Sequence, residues 1–224
     1  QLETLNSKKM IMIGEEAGEN FNYATFGVGE NIYLGYRAGY SHGFRSELIA
    51  IGTESMYAQV SGGASVAMGD RSLFNATDVR QTTAIGHAAL FNSLGSTGNT
   101  AIGHRTLSLE TTGEYNTAVG ADAGRTNGGD NGVYVGYNAD GENGGGTNVV
   151  IGSEAGITDL TPDATGRVLI GFNSWKDRGG NNILSIENSN SVTPLIYGEF
   201  DNDIVRIGGQ LQIGSSDDTT AGSI

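Results

Sequence analysis

The sequence predicts an all-β chain: a parallel β-solenoid (a β-roll or β-helix) with a repeat of about 17 residues, then a small β-rich C-terminal module. Three observations predict it. Glycine supplies 37 of the 224 residues, more than double its usual share of about 7%. An apolar residue followed by Gly recurs ten times at near-equal intervals. The residues just before that Gly are small or β-branched, in runs too short and too often broken by Gly to sustain an amphipathic helix.

The recurring glycines are Gly14, Gly35, Gly52, Gly69, Gly86, Gly103, Gly120, Gly136, Gly152 and Gly171, spaced by 21, 17, 17, 17, 17, 17, 16, 16 and 19. Three places before each stand mostly Ile or Val, as in Ile11, Ile32, Ile49 and Val66, with Thr83, Thr100 and Thr117 in the middle copies. A β-branched run ending at Gly reads as a strand entering a tight turn. Glycine suits that turn because it reaches positive φ and lets neighbouring backbone approach. Two places before it, Ala50, Ala67, Ala84, Ala101 and Ala118 run through the regular region; three places after it every residue is Ala, Ser or Thr. A period of 17 lies below the range of helical and leucine-rich repeats, about 20 to 47 residues. One coil of chain per repeat, paired with the next at about 4.8 Å, fits instead.

In such a stack equivalent positions lie above one another. One place after the Gly, residues as different as Glu15, Tyr36, His87 and Phe172 share no chemistry, which places that column in solvent. Two places after it, Glu16, Arg37, Glu54 and Arg71 alternate in sign, the pattern of a surface ion-pair ladder. Met56, Leu73, Leu90 and Leu107 form an aliphatic column four places after the Gly, and Tyr40, Tyr57, Phe74 and Phe91 an aromatic one at five. Side chains change face at every residue of a strand, so both columns cannot enter one coil. The aromatic residues Tyr40, Tyr57, Phe74 and Phe91 are therefore candidates for an oligomer interface, and the Ala column would allow close approach of sister chains.

After Gly171 the repeat stops. Runs 183–187, 194–200, 204–207 and 210–213 read as short strands between Asn, Asp and Gly turns. The expected division is a solenoid over 1–177 and a C-terminal module over 178–224. The first residues lack an initiator Met and a signal-peptide pattern, and the chain ends in a polar stretch, so it reads as a piece of something longer.

Lys and Arg number 12 against 25 Asp and Glu, a net charge of −13. That balance offers no electrostatic grip on nucleic acid or on an anionic membrane. The absence of Cys removes disulfides, thiol nucleophiles and Cys-based zinc sites. No apolar run approaches the roughly 18 residues of a membrane-spanning helix.

The segments Asn99-Thr100-Ala101-Ile102-Gly103 and Asn116-Thr117-Ala118-Val119-Gly120-Ala121-Asp122-Ala123-Gly124 resemble repeats of trimeric fibrous proteins. Similar units occur in bacteriophage tail fibres and in the β-roll heads of trimeric autotransporter adhesins, whose usual repeat is shorter. The resemblance covers roughly residues 10–175. Asn182-Ile183-Leu184-Ser185-Ile186-Glu187-Asn188-Ser189, with Thr193-Pro194-Leu195-Ile196-Tyr197-Gly198-Glu199-Phe200, resembles a module near the ends of phage-type fibres, often ahead of a cleavable intramolecular chaperone. The resemblance implies a homotrimer. It implies a non-enzymatic structural and receptor-binding segment of a tail fibre, on a virion or the outer surface of a phage-like contractile injection device. Its partners would be other fibre or baseplate proteins and a bacterial surface glycan or outer-surface protein. The head of a bacterial trimeric autotransporter adhesin is the alternative, and a polysaccharide-degrading tail spike the third.

No catalytic, metal or cofactor site is expected. His87 and His104 should stack one rung apart and read as a solvated pair rather than as metal ligands. Turn chemistry explains Gly128-Gly129-Asp130-Asn131-Gly132 and Asn138-Ala139-Asp140-Gly141-Glu142-Asn143 without calcium, since the spacing of calcium β-rolls and of EF-hands is missing. Acidic pairs are too plentiful for their spacing to indicate a glycosidase. Tyr137, Phe172 and Trp175 are the candidates for sugar-stacking platforms, with Trp175 more readily a plug closing the last coil.

Overall fold

The computed structural model describes residues 2–5, 10–20, 30–41, 47–58, 61–109, 111–126, 129–140, 145–157, 164–175, 178–191 and 193–211. Sixteen strands follow in order: β1 (Leu2–Leu5), β2 (Met10–Ile13), β3 (Ile32–Leu34), β4 (Leu48–Ile51), β5 (Ser61–Gly63), β6 (Ser65–Met68), β7 (Asp78–Arg80) and β8 (Thr83–Ile85). Then come β9 (Thr100–Ile102), β10 (Thr117–Val119), β11 (Val133–Val135), β12 (Val149–Ile151), β13 (Val168–Ile170), β14 (Ile183–Ile186), β15 (Ile196–Glu199) and β16 (Ile204–Ile207). Fourteen of them form one sheet, and β5 and β7 pair separately.

The chain is a parallel β-solenoid of about nine turns. Each repeat strand pairs in parallel with the next in full register, as in Thr83↔Thr100, Ala84↔Ala101 and Ile85↔Ile102. The register puts residues one repeat apart on adjacent rungs, as the spacing predicts. Parallel pairing also crosses the expected boundary at 177, because β14 pairs with β13. The change comes after β14, where β15 and β16 add antiparallel strands to the same sheet. Of the fourth predicted C-terminal strand, 210–213, residues 210 and 211 are not strand, and 212 and 213 lie outside the described residues.

The repeat glycine sets the spacing of the stack. Gly86 has φ +131°, and a Cβ built on it would lie 2.3 Å from the carbonyl oxygen of Gly103. Gly103 stands in the same relation to Gly120, at 2.4 Å, and so on along the stack. Glycine is therefore required twice over, for its own dihedral and for the rung beside it. The backbone ladder continues round the corner: Gly86 N–H donates to Met68 O at 2.7 Å, Ala88 N–H to Asp70 O at 2.9 Å, and Leu90 N–H to Thr106 O at 3.0 Å. Gln81, Ala88 and Leu90 take φ of 53°, 54° and 50° in that coil, and the equivalent residues repeat this in the other coils. Each left-handed non-Gly residue costs about 1–2 kcal/mol, a cost the inter-coil hydrogen bonds and the packed interior must offset.

The interior is narrow and its volumes trade. Ala84 and Ala101 on the strand face Leu90 and Leu107 on the corner, all fully buried. Where the strand residue is Tyr33, the corner residue is Gly39, whose added Cβ would fall 2.7 Å from the Tyr33 ring. Ala118 and Gly124 are both small, and Leu107 and Tyr134 from the adjacent coils fill the gap between them. The Ala column thus lies inside each coil. The expectation that it lets sister chains approach is corrected: its small volume makes room for the corner Leu or Met of its own chain.

Buried asparagines four places before the Gly add a second, side-chain ladder. Asn99 Oδ1 accepts from Asn116 N–H at 2.7 Å, Asn116 Oδ1 from Gly132 N–H at 2.7 Å, and Asn148 Oδ1 from Arg167 N–H at 3.1 Å. Their amides donate to loop carbonyls, such as Asn116 Nδ2 to Gly129 O at 2.8 Å.

Gly86→Ala should destabilise the fold by about 3 kcal/mol or more, because the methyl meets backbone that cannot move alone. Gly95→Ala, where an added Cβ meets nothing within 4 Å, should stay within about 0.5 kcal/mol. Urea unfolding of the two variants checks both.

Candidate functional site

Four features stand out once the coil is built. The first is a sheet face. With the alanines turned inward, the residues on either side of them point outward, giving one column that is apolar throughout and a second that is Ile or Val except at Thr83, Thr100 and Thr117. Ile13 is 44% exposed, Met68 40% and Ile102 38%. About nine turns at about 4.8 Å make a strip about 43 Å long. Sequence reasoning missed this face, although the alternation Ile49-Ala50-Ile51 carries the signal: a residue confined to a narrow interior sends its neighbours out.

The second is the aromatic column. Tyr40, Tyr57, Phe74 and Phe91 stack in sequence with ring centroids 5.0, 5.0 and 5.1 Å apart and planes within 12°. They are half-buried, outside the coil, while Met56, Leu73, Leu90 and Leu107 fill the interior. This is the division of faces that the two adjacent columns require. Arg37 lies over the rings of Tyr36 and Tyr40 and pairs with Glu16. The ion-pair ladder is interrupted rather than continuous: Arg71 turns to Asp70, at 3.5 Å, while further along the same column Arg105 pairs with Asp122 at 2.9 Å.

The third is polar. His87 and His104 stack at 5.2 Å, and His87 Nε2 lies 3.3 Å from Asp70 Oδ2 and 3.4 Å from Arg71 Nη2. Among the described residues no three of His, Asp and Glu converge where a metal ion could sit. Of the segments weighed for calcium, Gly128 and residues 141–143 lie outside the described residues. Asp140 is instead buried in the coil, at the corner position that holds Met or Leu in the middle coils. Its Oδ1 accepts from Arg167 Nη2 at 3.3 Å, and both side chains are fully buried. Burial lifts the Asp140 carboxyl to about 7, against the opposing pull of Arg167 and Asn148. The same desolvation pushes Arg167 below its ordinary value.

The fourth is the end of the solenoid. Trp175 occupies the corner position of the last Gly coil and stacks on Tyr197 of β15, centroids 5.6 Å apart and planes 17° from parallel. A pocket of about 430 Å³ opens beside them, lined by Trp175, Thr193, Pro194, Tyr197, Arg206, Ile207 and Gly208. Of the three sugar-platform candidates only Trp175 lines it. Tyr137 and Phe172 stand exposed in the solvent column one place after the Gly, two coils apart, as the mixed chemistry of that column predicts. Tyr197 and Arg206 were missed because they lie beyond the repeat, where no column marks them.

Compared with known proteins, the chain matches no family model, no curated protein and no solved structure. Among the described residues no helix is long and apolar enough to cross a membrane.

Arg167→Leu should cost about 3–5 kcal/mol by leaving a buried carboxyl without its cation, and Asp140→Leu with Arg167→Leu should recover most of it. The folded state favours protonated Asp140. Its contribution is therefore full below about pH 4 and falls as the pH rises towards about 7. Urea midpoints should show that fall in the native chain and lose it in the double variant.

Proposed function

We propose that the chain is a non-enzymatic segment of a homotrimeric fibre, serving as shaft and receptor-binding element of a tail fibre on a phage or a phage-like contractile injection device. The observation that carries this reading is the outward apolar strip on the solenoid sheet. Its column just before the Gly, from Ile13 to Ile170, is apolar on every rung, and the second column is Ile or Val except at Thr83, Thr100 and Thr117. A straight, regular strip is best covered by an equally straight and regular surface, which a parallel sister chain supplies. The stacked rings of Tyr40, Tyr57, Phe74 and Phe91 form a further half-buried stripe for such contact.

A stiff rod built from short coils suits mechanical extension better than catalysis. It carries its outer residues in columns, as a binding shaft does. Three copies on one axis would bring three equivalent sites to a bacterial surface glycan or outer-surface protein. Linked sites gain effective concentration, so weak individual contacts add to a firm hold.

Light scattering should give a solution mass near three times 23.2 kDa. Ile102→Asp, which places a charge in the middle of the strip, should shift it toward 23.2 kDa. Labelled native protein should bind cells within a panel of bacterial species, and the monomeric variant should lose about 100-fold in apparent affinity. A native mass of 23.2 kDa, or equal cell binding by the two forms, would overturn the proposal.

A further inference from the structure

The pocket at the end of the solenoid has the makings of a ligand site. Its walls are apolar or aromatic apart from Thr193 and one charged side chain, Arg206. The Cζ of Arg206 sits 5.9 Å from the centroid of the Tyr197 ring. Beyond Tyr197, the stack continues through Trp175 to Arg178, whose Cζ is 5.0 Å from the Trp175 ring. Two guanidiniums are therefore laid against one aromatic pair. A stacked guanidinium keeps its N–H edges free for a planar oxyanion.

Those edges have no carboxylate partner among the described residues. Among the described residues Arg206 forms no ion pair, and the buried Nη2 of Arg178 has no hydrogen-bond partner. Glu199, a carboxylate near Arg206, accepts from Tyr197 Oη at 2.9 Å and Asn202 Nδ2 at 2.7 Å. The chain's net charge of −13 does not forbid an anion here, since charges beyond about 8 Å are largely screened at physiological salt. At about 430 Å³ the pocket is within the range of small-molecule sites, about 300–1,000 Å³.

We infer that this pocket binds a sugar residue bearing an anionic group: the oxyanion is taken by the edge of Arg206, and the apolar side of the ring lies against Trp175, Tyr197 and Pro194. The inference rests on the receptor-binding reading above and names the ligand class for it. A bidentate charge-assisted contact gives Arg206 the larger share of selectivity, and the aromatic wall excludes a bare ion from gaining as much.

Trp175 is the single tryptophan of the chain, so its emission reports on this pocket alone. The full chain is titrated with glucuronate, N-acetylneuraminate, glucose 6-phosphate, glucose and acetate. A saturable emission change is expected with at least one of the three anionic sugars, and none with glucose or acetate. The preference among the three tells whether a carboxylate or a phosphate is the natural group. Arg206→Gln, an exposed change that should leave the urea midpoint unmoved, is expected to raise the dissociation constant tenfold or more, with partial rescue by Arg206→Lys. No response to any anionic sugar, an equal response to glucose, or an equal response to acetate would overturn the inference. Because the titration uses no cells and needs no trimer, its failure would leave the mass and adhesion results standing. Conversely, a monomeric mass with intact sugar binding would remove the fibre and keep the pocket.

Discussion

The structure depends on how closely one coil lies on the next at the repeat glycine. There, backbone of one rung occupies the space a side chain would need on its neighbour, with Gly86 set against the carbonyl of Gly103 and Gly103 against that of Gly120. A coil of this kind has little interior. Its stability comes from neighbours more than from itself, as in other repeat architectures. Glycine admits the contact, the contact sets the rung spacing, and the spacing lets the corner hydrogen bonds form in both directions along the stack. The left-handed residues at each corner are tolerated because that ladder holds them in place.

A second constraint follows from the first. When the backbone cross-section is uniform, the interior volume is nearly uniform too, so residues on its opposite sides must sum to the same bulk. Ala with Leu or Met satisfies that sum through the middle coils, and Tyr33 with Gly39 satisfies it near the start. Two coils depart from it: Ala118 with Gly124 leaves a gap filled by Leu107 and Tyr134 of the adjacent coils, and Asp140 meets Arg167 where the pattern calls for an aliphatic side chain. Buried ion pairs of this kind add little net stability against an apolar replacement.

The same regularity shapes the surface. Because each rung repeats the last, an outward position becomes a column, and the chemistry of the column becomes a stripe the length of the rod. The apolar strip beside the alanines and the stacked aromatic rings are such stripes. The Trp175–Tyr197 pocket differs in kind. It forms where the coil repeat gives way to antiparallel strands and a corner side chain of the last coil is left half-covered. Repetition builds faces; its interruption builds a concavity.

The sequence by itself determined the coil length, the strand preceding each glycine, the solvent column and the split between the Leu and aromatic columns. All of these are local or periodic: Gly86, Leu90 and Phe91 show their roles because equivalent residues recur one repeat away. Only the tertiary structure decided what faces what across the coil. It put Ala84 inside and Thr83 and Ile85 outside, carried the sheet past residue 177 into β14, buried Asp140 against Arg167, and brought Trp175 onto Tyr197. The physical reason is the same in each case. A period fixes which residues share a column, whereas facing positions within one coil, and contacts made after the period ends, depend on how the chain closes in space.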